Sequence, residues 1–429
     1  MSEFKGTVKT LPPDKSISHR AAIIGALAQG TTEIQNYSRG LDNQTTLSVL
    51  GQLGVNIKQT PKGNGNEVII HSNGLWNLKA PTETLNCNNS GSTIRMLSGV
   101  LAAQPFISRL IGDESLMKRP MRRVADPLRE MGAQISLSET ETAPIEIQGK
   151  RPLKPISFYQ KAPSAQVKSL IILGALHAEG TTEIIEPIET RNHTELMLGL
   201  TPEIMPDGAN RWVINGPLQP EAKPFNIPSD PSAACFITAL GILASDADIC
   251  LSNVCLNPNR AHFLNVLRDH GLKLPIENER IDGGERVGDV IIQHESLRYP
   301  LKISGSKTIA AIIDELPMLA ALSSAATGEF ELHDAKELRA KESDRIQAMV
   351  LNLTACGYDC EEYEDGFLVK GKKSKPKGTV DIKTFYDHRI AMSFAILDAA
   401  TDISVSLDDP HVIDVSFPNF YEIINALKV

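Results

Sequence analysis

Cysteine is scarce in this 429-residue chain: only Cys87, Cys235, Cys250, Cys255, Cys356 and Cys360 occur. Six scattered thiols exclude a disulfide scaffold and imply a reducing, cytoplasmic setting. Cys356 and Cys360 are close in sequence but have no second ligand pair nearby, so no structural zinc is expected. An excess of positive charge is also lacking, since the formal net charge is -9. General affinity for nucleic acid or an anionic membrane is therefore not expected, although a local cationic site for a small anion is compatible with that total. No apolar run reaches the ~18 residues of a transmembrane helix. The opening MSEFKGTVKT lacks the apolar segment of a signal peptide. What remains, 41% hydrophobic and 22% charged residues, fits a folded globular chain long enough for two or three domains.

The chain repeats itself. GALAQGTTEIQNYS at 25–38 returns almost unchanged as GALHAEGTTEIIEP at 174–187. Looser copies begin at 99, 240, 320 and 393. Each reads as an Ala/Leu-rich helix, a short break and an alternating strand. Most are followed by a second helical pattern with a glycine near its end, as in TTLSVLGQLGV, VADPLREMGAQI, AHFLNVLRDHGLKL and DRIQAMVLNLTACGYD. Glycine there suits a helix C-cap. Copies recur mostly every ~65–80 residues, longer than a solenoid repeat. Six α/β units, three in each half, are the favoured reading; a single doubly wound sheet is the competing one. The Pro- and Gly-rich stretch at 216–230, GPLQPEAKPFNIPSD, is a candidate division between the halves.

Charged and small polar residues gather where these helices begin. DKSISHR at 14–20 sets Lys15, Ser16, Ser18, His19 and Arg20 before an apolar run, with Asp14 or Ser16 as candidate cap. NNSGSTIR at 88–95 offers Asn89, Ser90, Gly91 and Ser92 before Arg95, a loop suited to an oxyanion but without the Walker ending. MKRPMRR holds Lys118, Arg119, Arg122 and Arg123, broken by Pro120, and SAQVKS holds Ser164, Gln166 and Lys168. Acids enter in the second half: Asp314 and Glu315 in IIDELP, Glu342 beside Lys341 and Arg345 in AKESDR, and Asp387 with His388 and Arg389 in DHR. Lys341 and Arg345 are spaced as neighbours on one helix face, where they repel unless an acid or anion lies between them. His388 reads as a supporting hydrogen-bonding group, not a metal ligand, because no His-x-x-x-His pattern accompanies it. Each station alone is equally a capped, solvated helix start. Together they suggest two anionic substrates with acids placed for proton transfer.

By the motifs DKSISHR, NNSGSTIR, RP, SAQVKS, IIDELP, AKESDR and DHR, spread over essentially the whole chain, it resembles the 5-enolpyruvylshikimate-3-phosphate synthases of the enolpyruvyl transferase family. The RPM, SAQVKS and IDELP forms look closest to the class II branch. The resemblance implies an α/β, two-domain, pseudo-symmetric enolpyruvyl transferase fold made from six β-α-β-α-β-β units, with the active site between domains. It places 1–13 and 229–429 in one discontinuous domain and 14–228 in the other. The implied reaction transfers the enolpyruvyl group of phosphoenolpyruvate to the 5-hydroxyl of shikimate 3-phosphate by addition–elimination, with no cofactor and no metal. A monomer without nucleic-acid or membrane partners is implied as well.

Carried over position by position, the resemblance makes Lys15 a contact to both substrates and gives the shikimate portion to Ser16 and Arg20. Ser164 and the Ala165 backbone receive the 3-phosphate, aided by Thr190 and Arg191, while Gln166 touches both molecules. Asp314 is the implied base for the 5-hydroxyl, Glu342 the proton-transfer group at C3, and Lys341 an aid to hydroxyl activation. Gly91, Arg119, Arg345 and Arg389 surround phosphoenolpyruvate, with Asn89 and His388 in support. One departure is clear: some relatives carry a lysine where this chain has Val415, in IDVSFPNF. No catalytic lysine is therefore expected near the C-terminus, and the phosphoenolpyruvate pocket leans more on Lys15 and its arginines. The related UDP-N-acetylglucosamine enolpyruvyl transferase is the nearest alternative, but its reactive loop cysteine has no counterpart between residues 88 and 234. A noncatalytic anion-binding homologue is the alternative of another class.

Overall fold

The structure, a computed structural model, describes residues 3–374 and 376–429. The Ala-rich stretches are helices because their sequences are apolar on every face and their ends are capped. Lys15–Leu27 is the example: Asp14 accepts a hydrogen bond from the Ile17 N–H at 2.8 Å, and every residue from Ile17 to Leu27 is buried. A helix apolar all round belongs inside a core. Gly91–Leu101 and Ala165–Ala175 are capped by Ser90 and Ser164 and are buried in the same way. Pro231–Leu243, capped by Asp230, Leu316–Thr327, and His388–Ala400, capped by Asp387, are the other three. After each the chain turns into a strand, so the repeated helix-then-strand pattern is present six times.

The chain divides into two compact units. One takes the segment ending at Pro12 together with Pro228–Ile281 and Arg286–Val429; the other takes Pro13–Ile227 and Asp282–Glu285. The second unit holds three four-stranded sheets of one design. The strand after each buried helix pairs in parallel with a short edge strand and antiparallel with the far arm of a hairpin. In the first of these sheets the parallel edge is Phe225–Asn226, paired with Gln29–Tyr37 from the start of the unit. The other unit repeats the design, and there Glu3–Val8 pairs in parallel with Asp246–Cys255. The two crossings of the chain thus exchange one edge strand between halves of the sequence.

The sixth unit departs from the expected β-α-β-α-β-β pattern. Its parallel pair, Val380–Ile382 with Val405–Leu407, is present, but the chain then forms a 3-10 turn, Pro410–Val415, and the helix Phe420–Leu427 in place of a hairpin. The division of the chain expected from sequence also did not include Asp282–Glu285, a hairpin tip that groups with Pro13–Ile227.

The glycines that close the second helices adopt the left-handed backbone a C-cap needs: Gly54, Gly132, Gly271 and Gly357 have φ of 83–98°. After the first three the next N–H reaches back to close the turn, Val55 to Leu50, Ala133 to Leu128 and Leu272 to Leu267. This is the Schellman arrangement. Gly99 serves a different end. A Cβ there would stand 2.1 Å from the Leu170 carbonyl oxygen, so helices Gly91–Leu101 and Ala165–Ala175 pack backbone to backbone. Among the described residues no single helix is long and apolar enough to cross a membrane. Ser306–Ile312 and Leu316–Thr327 have that length and composition only as a pair, and are bent 99° from each other.

His19 sits in the core of its unit with Nδ1 2.7 Å from Thr46 Oγ1, and burial pushes its pKa down to about 3. Burial likewise lowers His177 to about 4. Both rings are neutral in the fold but take up protons once unfolded, near pH 6.5. Stability is therefore complete above that pH and declines as pH falls toward the folded-state values, by up to about 1.4 kcal/mol per pH unit for each histidine. In chemical denaturation between pH 4 and 7 we expect H19N to show a shallower pH slope than the wild type. An identical slope would exclude His19 as a contributor.

Candidate active site

In the unit that begins at Pro13, four helix starts carry the expected residues. Lys15 opens its helix with Nζ ion-paired to Asp42, the second residue of helix Leu41–Gln52. The Lys15 carbonyl accepts from Asn43 Nδ2 at 3.0 Å. Arg20 lies one turn further on, and its Nη1 donates to the Ser16 carbonyl at 2.9 Å. Its guanidinium is buried, which lowers its pKa to about 10 although Glu195 and Asp14 favour the charge. His19, by contrast, is no part of a cationic cluster; it faces the core.

Ser164, Ala165 and Gln166 form the start of helix Ala165–Ala175, half-buried, with the Ser164 hydroxyl accepting from the Val167 N–H. Gln166 Oε1 accepts from Arg95 Nη1 at 2.6 Å, and its Nε2 donates to Ser92 Oγ at 2.9 Å. Arg95 thus joins the site, a role its motif did not reveal. Gly91 lies under two guanidiniums: a Cβ would be 3.0 Å from Arg95 Nη1 and 3.3 Å from Arg119 Nη1. Arg119 Nη2 donates to Asn89 Oδ1 at 3.1 Å, and Asn89 in turn donates to Asp113 at 2.6 Å, so Asn89 links Arg119 to Asp113. Two other cations of that run have surface partners, Lys118 with Glu114 and Arg122 with Asp126.

Lys168 turns inward. Its ammonium is fully buried, 2.8 Å from Glu186 and 2.9 Å from Glu195. Glu186 also accepts from the Thr190 N–H at 2.9 Å, the Thr190 hydroxyl at 2.6 Å and Trp212 Nε1 at 3.0 Å. Thr190 is therefore buried with both donors occupied, while the adjacent Arg191 is half-buried.

In the other unit one buried arginine organises the acids. Arg345 donates from Nε to Asp387 at 2.7 Å, from Nη2 to Glu342 at 2.7 Å, and from Nη1 toward Asp314 at 3.5 Å. Lys341 Nζ is 3.6 Å from Asp314, whose backbone carbonyl accepts from Arg389 Nη1 at 2.8 Å. The expected helical neighbourship of Lys341 and Arg345 does not occur. Asp344 caps a helix that starts only at Arg345, so Lys341 lies outside it. The two cations meet instead through Asp314, the intervening acid. Glu315, beside Asp314, is buried and held by Arg260 at 2.9 Å and by Ser232. Val415 ends its 3-10 turn and is 43% exposed.

Asp387 is the acid of this cluster to which the sequence pattern gave no role. It caps helix His388–Ala400, accepting from the Arg389 N–H at 2.9 Å, and is the buried counter-ion of Arg345. Burial opposes charge on both. The facing carboxylates of Asp387, Glu342 and Asp314 nevertheless hold Arg345 above its ordinary pKa, and Arg345 holds Asp387 below its ordinary 3.8. Asp387 thus contributes stability in full above that value, and loses it as pH falls through the lower folded-state pKa. Asparagine would keep the cap and leave Arg345 short of a buried charge. We expect D387N to lose about 3–5 kcal/mol of unfolding free energy at neutral pH, measured by denaturant titration. A loss no larger than that of a surface substitution would contradict this account.

The geometry can now be set beside known proteins. A family model described as EPSP synthase (3-phosphoshikimate 1-carboxyvinyltransferase) matches residues 1–424. A curated 3-phosphoshikimate 1-carboxyvinyltransferase of Chloroherpeton thalassium is 61% identical over 433 residues, covering all of both chains. That of Chlorobaculum parvum is 57% identical with the same coverage. Among solved structures, EPSP synthase from Acinetobacter baumannii superposes with a TM-score of 0.86 at 40% identity, covering 100% of this chain and 96% of that one. The enolpyruvyl transferase NikO from Streptomyces tendae shares the fold, at a TM-score of 0.71 and 17% identity. Six repeated α/β units, a cation-rich set of helix starts and an arginine gripped by three carboxylates are therefore found in a chain that belongs to the EPSP synthase (3-phosphoshikimate 1-carboxyvinyltransferase) family.

Proposed function

We propose that both sets of residues serve the reaction of the family, in the roles their motifs imply. The enzyme transfers the enolpyruvyl group of phosphoenolpyruvate to the 5-hydroxyl of shikimate 3-phosphate and releases phosphate. C3 of phosphoenolpyruvate gains a proton while the hydroxyl oxygen bonds to C2; the tetrahedral adduct then loses a C3 proton and phosphate.

The observation that carries the assignment is the pair of carboxylates on Arg345. Asp314 is flanked by Lys341, Arg345 and Arg389, which favour its ionised form and suit it as base for the 5-hydroxyl. Glu342 is held by Arg345 at 2.7 Å and is 30% exposed, and an acid within reach of solvent suits proton exchange at C3. Lys341 then stabilises the developing negative charge. Arg119, Arg345 and Arg389 supply directed donors for phosphoenolpyruvate oxygens, with Gly91 leaving room beside Arg119. Lys15 touches both substrates, Ser16 and Arg20 hold the shikimate portion, and Gln166 meets both. The 3-phosphate sits at Ser164 and the Ala165 N–H, where a helix start favours an anion. Arg191 assists there, since the Thr190 donors are engaged by Glu186. His388 supports Arg389.

The six free cysteines support action in a reducing cytoplasm. The exchanged edge strands support the division into 1–13 with 229–429 and 14–228. A monomer is the oligomeric state we infer, and no cofactor is required by the proposed steps.

Phosphate release should require both substrates, with either omitted alone abolishing it. Transfer to UDP-N-acetylglucosamine instead would reject the assignment. We expect E342Q to lower kcat by about 10²–10⁴-fold with modest change in KM, whereas near-normal turnover would remove Glu342 from the mechanism. In G91A the added methyl must displace the Arg95 and Arg119 guanidiniums. Its KM for phosphoenolpyruvate should rise roughly tenfold, equivalent to about 1.4 kcal/mol, leaving that for shikimate 3-phosphate nearly unchanged.

A further inference from the structure

Arg20 is a buried guanidinium whose hydrogen bonds, among the described residues, all go to uncharged oxygens. Nε donates to Thr194 Oγ1 at 2.7 Å, Nη2 to Ser169 Oγ at 2.9 Å and Nη1 to the Ser16 carbonyl at 2.9 Å. The two hydroxyls are themselves hydrogen-bonded, 2.7 Å apart. A buried arginine is ordinarily gripped along its Nε and Nη edge by a carboxylate, in a bidentate pair. Here two hydroxyls occupy that edge and supply the same directed acceptors without the negative charge.

The absence of an acid at this edge has a visible cause. Ser169 follows Lys168 on helix Ala165–Ala175, and Thr194 precedes Glu195 on helix His193–Leu198. Lys168 and Glu195 are both fully buried and ion-paired at 2.9 Å. That pair draws the two helices together and commits the nearest acid to lysine. The neighbouring hydroxyls then meet Arg20, which comes from a third helix 149 and 174 residues away in sequence. Arg20 is fixed in direction while its charge remains uncompensated at contact distance. Three of its five N–H donors are used in this way.

We propose that Ser169 and Thr194 are positioning residues for substrate binding: as a neutral substitute for a carboxylate, they aim the Arg20 guanidinium at an anionic group of shikimate 3-phosphate and leave its charge for that group. The inference rests on the reading that Arg20 holds the shikimate portion. A carboxylate at either position would satisfy the arginine and compete with the substrate. Apolar side chains there would leave Nε and Nη2 without acceptors and let the guanidinium turn.

T194V is nearly isosteric and removes one hydroxyl, T194S restores it, and S169A removes the other. Steady-state kinetics with each substrate varied in turn should show KM for shikimate 3-phosphate raised about tenfold in T194V, equal to about 1.4 kcal/mol. KM for phosphoenolpyruvate and kcat should be little changed, and T194S should return to the wild-type value. S169A should show the same selective loss, and it carries the test if T194V does not fold. R20Q separates the two levels of the argument. If R20Q weakens shikimate 3-phosphate but T194V and S169A bind it normally, the positioning role is wrong and the reading of Arg20 stands. If R20Q leaves that KM unaltered, the reading of Arg20 fails and the inference with it. Equal loss toward both substrates, or no recovery in T194S, would mark the hydroxyls as structural only and overturn the proposal.

Discussion

A helix buried on every face meets its polar partners chiefly near its start, and the first N–H groups of each such helix must be satisfied there. Six helices of this chain are under that constraint. Five have a side-chain cap, from Asp14, Ser90, Ser164, Asp230 and Asp387. The caps hold small and polar residues at the helix starts, and the motif residues lie beside them: Lys15 after Asp14, Gly91 after Ser90, Ala165 and Gln166 after Ser164, His388 and Arg389 after Asp387. Core formation and site formation are thus two consequences of one requirement. Apolar faces fill the interior, and what the interior cannot accept collects at the N-termini.

Those starts are joined to one another through hydrogen bonds that cross long stretches of sequence. His19, Thr46, Thr93 and Ser90 form one chain of contacts of 2.6–2.7 Å. Arg20, Ser169 and Thr194 form a second, and Arg95, Gln166 and Ser92 a third. Buried polar groups of this kind are costly unless each finds a partner, so the networks fix the orientation of the groups they contain. Preorganisation of the proposed anion site follows from that rigidity without a further device.

The two units handle charge differently. In the unit beginning at Pro13, Arg20, Arg95 and Arg119 donate to uncharged oxygens of serine, threonine, asparagine, glutamine and backbone. In the other, three carboxylates and three cations interlock around Arg345. The first arrangement orients guanidiniums through neutral acceptors, as the proposed binding of substrate anions requires. The second sets acids within ion-pair reach of cations, the arrangement on which the proposed proton transfers draw. An overall charge of -9 is compatible with both, because the fields that matter act over a few ångströms.

Much of this was determined by the sequence alone, wherever the physics is local. The helix-then-strand repeat, the polar helix starts, where Asp14 rather than Ser16 proves to be the cap, and the left-handed glycines at Gly54, Gly132, Gly271 and Gly357 each depend on a few adjacent residues. The motif residues were also identifiable, because their types at helix starts suit anions and proton transfer. Where a local rule was extended too far it misled: Lys341 and Arg345 have helical spacing, yet Asp344 caps the helix between them. Only the tertiary structure decided the partners. Asp42 for Lys15, Arg260 for Glu315, Glu186 for Thr190 and the Ser169–Thr194 pair for Arg20 carry no pattern of their own, since each is a residue type common on any surface. What makes them functional is which distant side chain they meet. That depends on the packing of helices and the exchange of edge strands between distant parts of the chain, not on sequence within one turn.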